Sequence, residues 1–261
     1  MKKVINAEVI ENKQILHDVY DLYLNVGREQ AAKVVAGQFL GIYTSSDAML
    51  LPRPLSICEA DAASGILRVV YRVVGGGTEN IANAKFGDFL RIIGPLGNGY
   101  TIDNNVLSFA IVGGGLGVPP LLELSKRVRR AVPNAKIAVF LGFRNKSQII
   151  LADDFEKYAD SVAICTDDGS HGFHGTVLAA MQLRSVFDMA FGCGPKPMLR
   201  ALARYSAQSE TPCYVSLEEH MACCIGTCLA CAVKVQDGDE YVNKRACYDG
   251  PVFGAKEVAW E

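Results

Sequence analysis

Five of the chain's nine cysteines lie close together near its C-terminal end. The segment "MACCIGTCLACAVK", residues 221–234, contains four of them, and the fifth follows in "RACYDG". One subset has the C-x4-C-x2-C…C order of plant-type 2Fe-2S sites, in which a loop wraps two iron atoms and a distant thiolate completes the ligand set. The subset consists of Cys223, Cys228, Cys231 and Cys247. The spacing therefore predicts a 2Fe-2S cluster.

Two alternatives remain for these thiols. A structural zinc ion also takes four cysteines, but zinc sites usually have two well-separated C-x2-4-C pairs, and here the second pair is missing. Thiols that bind nothing are the other alternative. Cys224 stands in C-x3-C spacing to Cys228, which is not the ferredoxin spacing. We therefore predict that Cys224 is a spare thiol.

Length and charge exclude several classes of protein. Crowded cysteines usually mark small secreted domains, whereas this chain has 261 residues and no apolar signal-peptide core in "VINAEVIENKQ". We expect reduced thiols and a cytoplasmic location. A net charge of −2 without a Lys/Arg block argues against a nucleic-acid partner. Four glycines and two prolines interrupt the charge-free run 104–122, so we expect a strand, a loop and a helix start there and no membrane span.

The glycine-rich stretch "IVGGGLGVPPL" lies between an apolar strand and a helix that Pro119 or Pro120 can begin. Such a turn lets the backbone approach a dinucleotide pyrophosphate at a helix N-terminus. Val118 stands where the third glycine or alanine of the usual motif would be, so a tightly packed turn without a ligand is the alternative. The candidate NAD-binding residues are Gly113, Gly114, Gly115 and Gly117.

A second loop, "FGCGPKPML", repeats this pattern after a later strand and adds Gly194 and Pro195 to the NAD candidates. Carboxyl ends of parallel strands meet at one edge of a sheet, so we expect both loops on the same side. Cys193 would then face the same crevice, and we name it as a candidate catalytic residue near the nicotinamide. A small buried core cysteine is the alternative.

Two segments near the N-terminal end, "PRPLS" and "VYRVVGGGTEN", could bind a phosphorylated cofactor. Arg53 and Arg72 could form charge-assisted bonds to phosphate oxygens. Thr78 can cap a helix whose N-terminal N–H groups suit a pyrophosphate. Exposed arginines and a glycine-rich hairpin turn are the alternative.

The elements that must position these residues change along the chain. Residues 1–103 contain short apolar runs, and Leu67, Val69, Tyr71 and Val73 alternate with period two, which predicts an antiparallel β-barrel. Residues 104–208 alternate apolar strands with amphipathic stretches, which predicts βαβ units and a parallel sheet. Residues 209–261 carry the cysteines. We thus predict an α/β plus β fold with an antiparallel β-barrel that carries the candidate cofactor-binding segments, a parallel-sheet nucleotide-binding domain and a small C-terminal 2Fe-2S domain.

The motifs "RPLS", "GGGLGVPPL" and "CGPKPML", in this order, resemble the ferredoxin-reductase family of flavoproteins over about residues 1–208. With "EEHMACCIGTCLACAVKV" and "CYDGPVF" added, the whole chain resembles the electron-transfer subunits of class 1B dihydroorotate dehydrogenases. The resemblance implies FAD, a 2Fe-2S cluster and the uptake of hydride from NADH, whose electrons pass through FAD and the cluster. It also implies electron transfer to FMN in a catalytic subunit that converts dihydroorotate to orotate with NAD+ in pyrimidine (UMP) biosynthesis.

The resemblance also assigns residues by position. It makes Cys223, Cys228, Cys231 and Cys247 the cluster ligands. Its FAD motifs fall on Arg53, Pro54, Leu55, Ser56, Val70, Tyr71, Arg72, Gly77 and Thr78. Cys224 departs from the family, which usually has glycine there. If that position needs a positive φ, a cysteine is strained by about 1 kcal/mol or more.

The sequence also predicts a partner chain. An FMN-bearing barrel takes about 250 residues, and the predicted modules already use this chain, so the substrate site belongs to a separate FMN-containing subunit. The family implies a heterotetramer with two of each subunit. Two alternatives are a subunit with the same cofactors that serves a hydrogenase or a ferredoxin-linked enzyme, and a non-catalytic iron–sulfur or zinc redox sensor.

Two smaller features concern the choice of nucleotide and the histidines. Arg144 and Lys146 follow the second strand of the predicted parallel sheet and could hold the 2′-phosphate of NADPH, whereas family analogy favours NADH. His171 and His174 have H-x2-H spacing, but we expect solvated loop residues because no further metal ligands are near in sequence.

Overall fold

The structure is a computed structural model that describes residues 3–46, 48–184 and 186–260. Its strands form two seven-stranded sheets and one hairpin. The strands are β1 (Val4–Leu16), β2 (Val19–Asn25), β3 (Phe39–Ile42), β4 (Arg53–Ser56), β5 (Glu59–Asp61), β6 (Ile66–Arg72), β7 (Phe89–Leu96), β8 (Ser108–Gly114), β9 (Lys136–Phe143), β10 (Ser161–Thr166), β11 (Phe173–His174), β12 (Met189–Cys193), β13 (Cys213–Ser216), β14 (Ala232–Asp237), β15 (Glu240–Arg245) and β16 (Val252–Gly254).

The helices lie between these strands. Within the described residues, none is long and apolar enough to cross a lipid bilayer. The helices are α1 (Arg28–Ala31), α2 (Gly76–Ala82), α3 (Pro120–Ala131), α4 (Ala152–Phe155), α5 (Val177–Gln182) and α6 (Lys196–Ser209).

The first sheet has the strand order β4-β3-β7-β1-β2-β6-β5, and its neighbouring strands are antiparallel. Strand β6 alternates as the sequence predicts, with Leu67, Val69 and Tyr71 buried in the interior. Val73 lies just beyond the end of this strand. Strand β4, at one end of the order, also contacts β6, near the other end, so the sheet curls on itself. The predicted antiparallel barrel is confirmed.

The second sheet has the order β11-β10-β9-β8-β12-β13-β16 and is parallel except for the antiparallel pair β13–β16. The chain extends the sheet to one side of β8 and then returns to the other side with β12. Open α/β sheets bind ligands at such a switch point. Helix α3 begins at Pro120, as predicted, and buries Leu121, Leu124 and Val128. The predicted parallel-sheet domain is confirmed.

The segment after residue 208 does not form a separate sheet. Strand β13 pairs in parallel with β12, and β16 pairs with β13, so both extend the second sheet. Only the β14–β15 hairpin stands apart. The reason is burial, since Cys213 and Val215 enter the core beside β12. The ranges 1–103, 104–208 and 209–261 therefore describe proposed cofactor modules, and the third module shares strands with the second.

Buried charges join the barrel to the second sheet. Arg68 of β6 donates from Nε to Asp21 Oδ1 and from Nη1 to Asp154 Oδ2, both at 2.9 Å. Asp154 belongs to α4 in the second domain. Nearby, the buried carboxylate of Glu123 in α3 accepts the N–H of Ala60 at 3.0 Å. We call these contacts the barrel–sheet joint. Because buried charges are stable only when paired, they fix how the two units sit together.

Candidate cofactor sites

A cavity of about 740 Å³ lies at the switch point of the second sheet and reaches the barrel. Cavities of this size accommodate ligands of several hundred daltons. Both predicted glycine loops line it, through Gly114, Gly115, Gly117, Gly194 and Pro195. The barrel contributes Arg72 and Val74. The arrangement places a nucleotide-sized space between the two domains.

The two glycine loops touch each other, as the sequence analysis expects. A Cβ added at Gly117 would lie 2.3 Å from the carbonyl oxygen of Cys193, so only glycine permits this approach. Gly113 has a different place, inside β8 and beneath α3, where an added Cβ would lie 3.0 Å from Leu121 Cδ1. The structure thus brings four of the five predicted loop glycines to the cavity and gives Gly113 a packing contact.

Cys193 ends β12 beneath the cavity and is 2% exposed. Burial, together with a smaller contribution from the nearby Glu218 carboxylate, raises the pKa of its thiol to about 12. Glu218 itself lines the cavity, and burial raises the pKa of its carboxyl group. No local sequence pattern predicts Glu218 at this place, because its position depends on β13 joining the second sheet. A catalytic role for Cys193 remains a prediction.

The far end of the cavity carries charges of both signs. Arg144 lines it, whereas Lys146 is exposed and lies outside the lining. Asp167, directly after β10, also lines the cavity, although no sequence motif marks it. A carboxylate there can accept hydrogen bonds from ribose hydroxyl groups, and it repels a phosphate group. His171 and His174 are exposed, as expected.

Strand β4, which carries the predicted flavin motif "RPLS", is an edge strand of the barrel sheet. Its four residues are half-buried. An edge strand has backbone N–H and C=O groups that no neighbouring strand pairs. Leu55, the third of these residues, packs against the barrel core. Exposed main-chain groups beside a half-buried surface fit the ring system of a flavin.

Arg53 lies across the start of α2. A Cβ added at Gly77 would overlap the guanidinium, with only 1.8 Å to Nε, so glycine leaves the space that Arg53 fills. The guanidinium also donates to the carbonyl oxygen of Leu51. A fixed cation beside the first N–H groups of a helix suits the pyrophosphate of FAD. The predicted residues Arg53 and Gly77 are therefore in contact.

Arg72 leaves a polar atom without a hydrogen bond. Its Nε lies 2.9 Å from Asp18 Oδ2, but the geometry makes an ion pair only, and the buried N–H is unpaired. Because Arg72 lines the cavity, an oxygen atom of a bound cofactor could accept this N–H. Val70 and Tyr71 differ from it: both side chains are buried, and the Tyr71 ring stacks on Tyr20 at 5.9 Å. These two can offer only backbone groups to a cofactor.

Thr78 is not the N-cap residue of its helix, contrary to the sequence expectation. Helix α2 begins at Gly76, so Thr78 lies inside its first turn. The Thr78 hydroxyl accepts the N–H of Val74 at 2.9 Å and donates to the carbonyl oxygen of Gly75 at 2.9 Å. The glycines permit the earlier helix start. Thr78 therefore closes the loop before the helix.

The four predicted cluster thiols form two pairs. Cys223 hydrogen-bonds with Cys228, and Cys231 with Cys247. Among the residues that the structure describes, no three His, Cys, Asp or Glu side chains converge closely enough to hold a single metal ion. Paired thiolates fit a cluster of two iron atoms, whereas tetrahedral zinc needs four ligands around one centre. The residues present fit a 2Fe-2S cluster better than zinc.

Backbone N–H groups surround these sulfurs. Thr227 and Cys228 donate to Cys223 Sγ at 3.3 and 3.4 Å, and Cys247 donates to Cys231 Sγ at 3.4 Å. Burial raises the pKa of Cys223, but N–H donors including Ile225 outweigh it and lower the pKa to about 6. The thiolate is the form that binds metal. The loop thus prepares Cys223 as a ligand.

The β14–β15 hairpin brings the distant ligand back to the loop. Cys231 directly precedes β14 and Cys247 follows β15, so the intervening residues form the hairpin. Arg245, which the sequence analysis missed, holds this end together: it donates to Asp249 Oδ2 at 2.9 Å and to the carbonyl oxygen of Gly226 at 3.0 Å. The hydrogen bond from Arg245 lowers the pKa of Asp249. The long gap between Cys231 and Cys247 in the cysteine motif therefore corresponds to the β14–β15 hairpin.

Cys224 is not a member of either thiol pair, although three of the four predicted ligand thiols lie near it. Its side chain is fully buried in the apolar core that also contains Phe39 and Ile93 of the barrel. Its φ is +61°, the positive value that the family's usual glycine suggests. Burial raises the pKa of its thiol to about 12. These observations support the prediction that Cys224 is not a ligand.

Known families match the chain at both candidate sites. Residues 6–100 match the oxidoreductase FAD-binding domain. Residues 218–259 match the iron-sulfur cluster binding domain of dihydroorotate dehydrogenase B. The second match begins at Glu218, directly after the segment of β13, and includes the β14–β15 hairpin and β16.

Similar proteins cover nearly the whole chain. The electron transfer subunit of dihydroorotate dehydrogenase B (NAD(+)) from Geobacillus kaustophilus is 40% identical over 257 residues, with 96% of each chain covered. The protein of the same name from Clostridium perfringens is 38% identical over 252 residues, covering 97% of this chain and 96% of its own.

Solved structures show the same architecture. The structure of NADH-dependent reduced ferredoxin-NADP oxidoreductase, which concerns flavin-based electron bifurcation, has a TM-score of 0.85 and 31% identity, covering 100% of this chain and 92% of its own. The cytochrome b5 reductase domain of Ulva prolifera nitrate reductase has a TM-score of 0.66 and 20% identity, covering 80% and 94% respectively. The latter likeness concerns the fold alone.

Proposed function

This chain belongs to the family of electron-transfer subunits of dihydroorotate dehydrogenase B (NAD(+)), and from that premise we propose that it carries electrons between NAD(H) and the FMN of a separate catalytic subunit. It is an oxidoreductase subunit with FAD and a 2Fe-2S cluster as cofactors. The observation that carries the proposal is the pairing of the four thiols beside a barrel with an edge-strand flavin motif.

The chemistry of the assembled enzyme balances across two chains. Dihydroorotate loses two electrons and two protons to become orotate, while NAD+ gains a hydride and one proton goes to solvent. A nicotinamide exchanges electrons in pairs and an iron–sulfur cluster singly, and a bound flavin can do both. The family name makes NAD+ the acceptor, so NADH as donor is the reverse reaction.

The chain's own residues perform the binding. Arg53 and Arg72 hold cofactor phosphates, and the backbone of Gly114 and Gly117 admits the dinucleotide at the switch point. Burial keeps Glu218 protonated at its carboxyl oxygen to a higher pH than an ordinary glutamate, so this wall of the cavity carries less negative charge toward a nucleotide. Cys223, Cys228, Cys231 and Cys247 hold the cluster.

We place the partner at the cluster end of the chain. Cys228 is exposed, whereas Cys231 and Cys247 are buried, so the cluster would have one open side. The half-exposed apolar side chains of Ile225 and Tyr248 lie in the same region. A heterotetramer of two subunits of each kind and a cytoplasmic location complete the proposal, since thiolate ligands need a reducing compartment.

The first experiment measures the cofactors and the reaction. The purified chain should contain FAD, iron and acid-labile sulfide and should show a 2Fe-2S visible spectrum. After addition of the FMN-containing catalytic subunit, dihydroorotate and NAD+ should give orotate and NADH in equal amounts. A colourless protein with zinc in place of iron would refute the proposal.

A second candidate function rests on the structure of NADH-dependent reduced ferredoxin-NADP oxidoreductase, which is similar over the whole chain. In this alternative the same cofactors serve a ferredoxin-linked partner. NADH oxidation with an artificial acceptor, but no orotate formation with the FMN subunit, would favour it. Related subunits often have Asp at the first cluster position, and Cys223 argues against that assignment.

A further inference from the structure

Cys224 combines two features that no other described residue of the loop shares. Four non-glycine residues among those described have positive φ, and Cys224 is the one whose side chain is fully buried. Leu229 makes the comparison direct. It also has φ +61° and also directly follows a predicted ligand, but its side chain is 64% exposed. A positive φ directly after a cluster cysteine therefore does not by itself bury the side chain at that position.

The buried side chain packs against the barrel. It belongs to the same apolar core as Phe39 and Ile93 of the barrel, and a Cβ added at Gly41 of β3 would lie 3.6 Å from Cys224 Cβ, so the two residues face each other. The same added atom would lie 2.9 Å from Ile93 Cγ2, so the surface of β3 is closed around this position. Because Gly41 has no side chain, the side chain of Cys224 can pack directly against the backbone of β3.

This contact lies directly behind the flavin motif. Gly41 pairs with Pro54 across the β3–β4 ladder, and Pro54 belongs to "RPLS". On the other side, Cys224 is bonded to the ligand Cys223. The connection from the cluster loop to the flavin strand thus has three steps. They are the peptide bond from Cys223 to Cys224, the packing of Cys224 on Gly41, and the strand pairing of Gly41 with Pro54. Neighbouring strands are about 5 Å apart, so the connection is short.

We propose that Cys224 is a positioning residue that holds the cluster loop against the flavin strand and so sets the separation of the two cofactor sites. The inference rests on the proposed function of the chain. A glycine at this position would adopt the same φ without strain but would leave the contact with Gly41 unfilled. The cysteine therefore has a strained backbone, but its side chain fixes the distance between the cluster loop and the flavin strand.

The test uses the full chain loaded with FAD and cluster. Cys224→Gly removes the packing group, Cys224→Ala keeps only Cβ, and Leu229→Gly is the matched control because it makes the same backbone change at an exposed site. Rapid mixing with NADH separates flavin reduction from the later bleaching of the cluster. Hydrogen exchange of amides 222–228, measured on the oxidised protein, reports the loop independently of activity.

We expect Cys224→Gly to leave flavin reduction unchanged, to slow cluster bleaching severalfold and to speed amide exchange across the loop. Cys224→Ala should show the same changes to a smaller extent, and Leu229→Gly neither. Wild-type bleaching and exchange in Cys224→Gly would overturn the proposal. Loss of the cluster from both Cys224 variants would make this residue a ligand and would also overturn it. A wild-type chain without flavin or iron would instead refute the proposed function.

Discussion

The barrel contacts its two neighbours in physically different ways. At the barrel–sheet joint, Arg68 bridges Asp21 and Asp154 through charged hydrogen bonds. At the contact with the cluster loop, which we call the cluster joint, Cys224 packs on Gly41 without a charge. Charged hydrogen bonds depend on direction, whereas packing depends on distance. The first joint suits the alignment of a nicotinamide with a flavin, and the second suits electron transfer.

The two joints should also fail differently. Removal of one partner from a buried ion pair leaves an uncompensated charge, which costs far more than the pair contributes. Removal of a packing group leaves a small cavity, which the neighbours partly fill. Substitutions at the barrel–sheet joint should therefore lower the free energy of unfolding. Substitutions at the cluster joint should instead change amide exchange in the cluster loop and the rate of cluster bleaching.

The largest expected effect concerns the cluster ligands. Cys228→Ser should abolish the 2Fe-2S absorbance, because one iron atom loses a thiolate, while Cys224→Ser should retain it. Iron and sulfide content and the visible spectrum decide the matter, with flavin content as the internal reference. The reverse result would mean that Cys224, and not Cys228, is a ligand of the cluster.

The next largest effect should occur at the barrel–sheet joint. Arg68→Met strands the carboxylate of Asp21, which is 6% exposed, and should lower the free energy of unfolding by about 3–5 kcal/mol. Lys157→Met is the matched control, since Lys157 binds Asp154 from the solvent side with a side chain 63% exposed. It should cost about 0–1 kcal/mol after solvent screening. Denaturant unfolding measures both, and equal losses would contradict the contrast.

Local patterns in the sequence predict much of this architecture. The period-two strand over Leu67, Val69 and Tyr71, the helix start at Pro120 and the cluster spacing each depend on residues within one element or loop. Short-range sterics and hydrogen bonding determine such features. They are therefore visible before any tertiary contact is known.

Long-range contacts explain what the sequence did not predict. Arg68 and Asp154 are 86 positions apart, and no local pattern connects them. Glu218 reaches the cavity because β13 joins the second sheet, a pairing that depends on the edge offered by β12. Thr78 has the residue type of a helix cap, yet the preceding glycines allow α2 to begin earlier. In each case tertiary context overrides the local signal.

A smaller effect at the barrel–sheet joint depends on pH. Burial raises the pKa of Asp154, but hydrogen bonds from Lys157 and Arg68 outweigh it and hold the pKa below its usual value. A carboxyl whose folded pKa is lowered contributes stability above its unfolded pKa of about 3.9 and loses it as pH falls through the folded pKa. Asp154→Asn should therefore cost most near neutral pH and progressively less in acid.

The measurement is the unfolding free energy of the wild type and Asp154→Asn at several pH values. The loss near neutral pH should be smaller than that of Arg68→Met, because Arg68 keeps Asp21 as a partner. A difference that stays constant down to the acid range would show that Asp154 acts through packing and not through charge.

The smallest effect compares the two left-handed residues of the cluster loop. Leu229→Gly relieves a positive φ at an exposed site and should raise the free energy of unfolding by about 1 kcal/mol, since left-handed backbone costs L-residues about 1–2 kcal/mol and glycine loses some of this gain through entropy. Cys224→Gly gains the same relief but loses a buried side chain, so its net change should be close to zero or negative. Unfolding of the metal-free chain keeps cluster loss out of the comparison. If both variants gained equally, the contact of Cys224 with Gly41 would contribute nothing to the joint. A gain confined to Leu229→Gly would mean that burial of the Cys224 side chain offsets the strain of its positive φ.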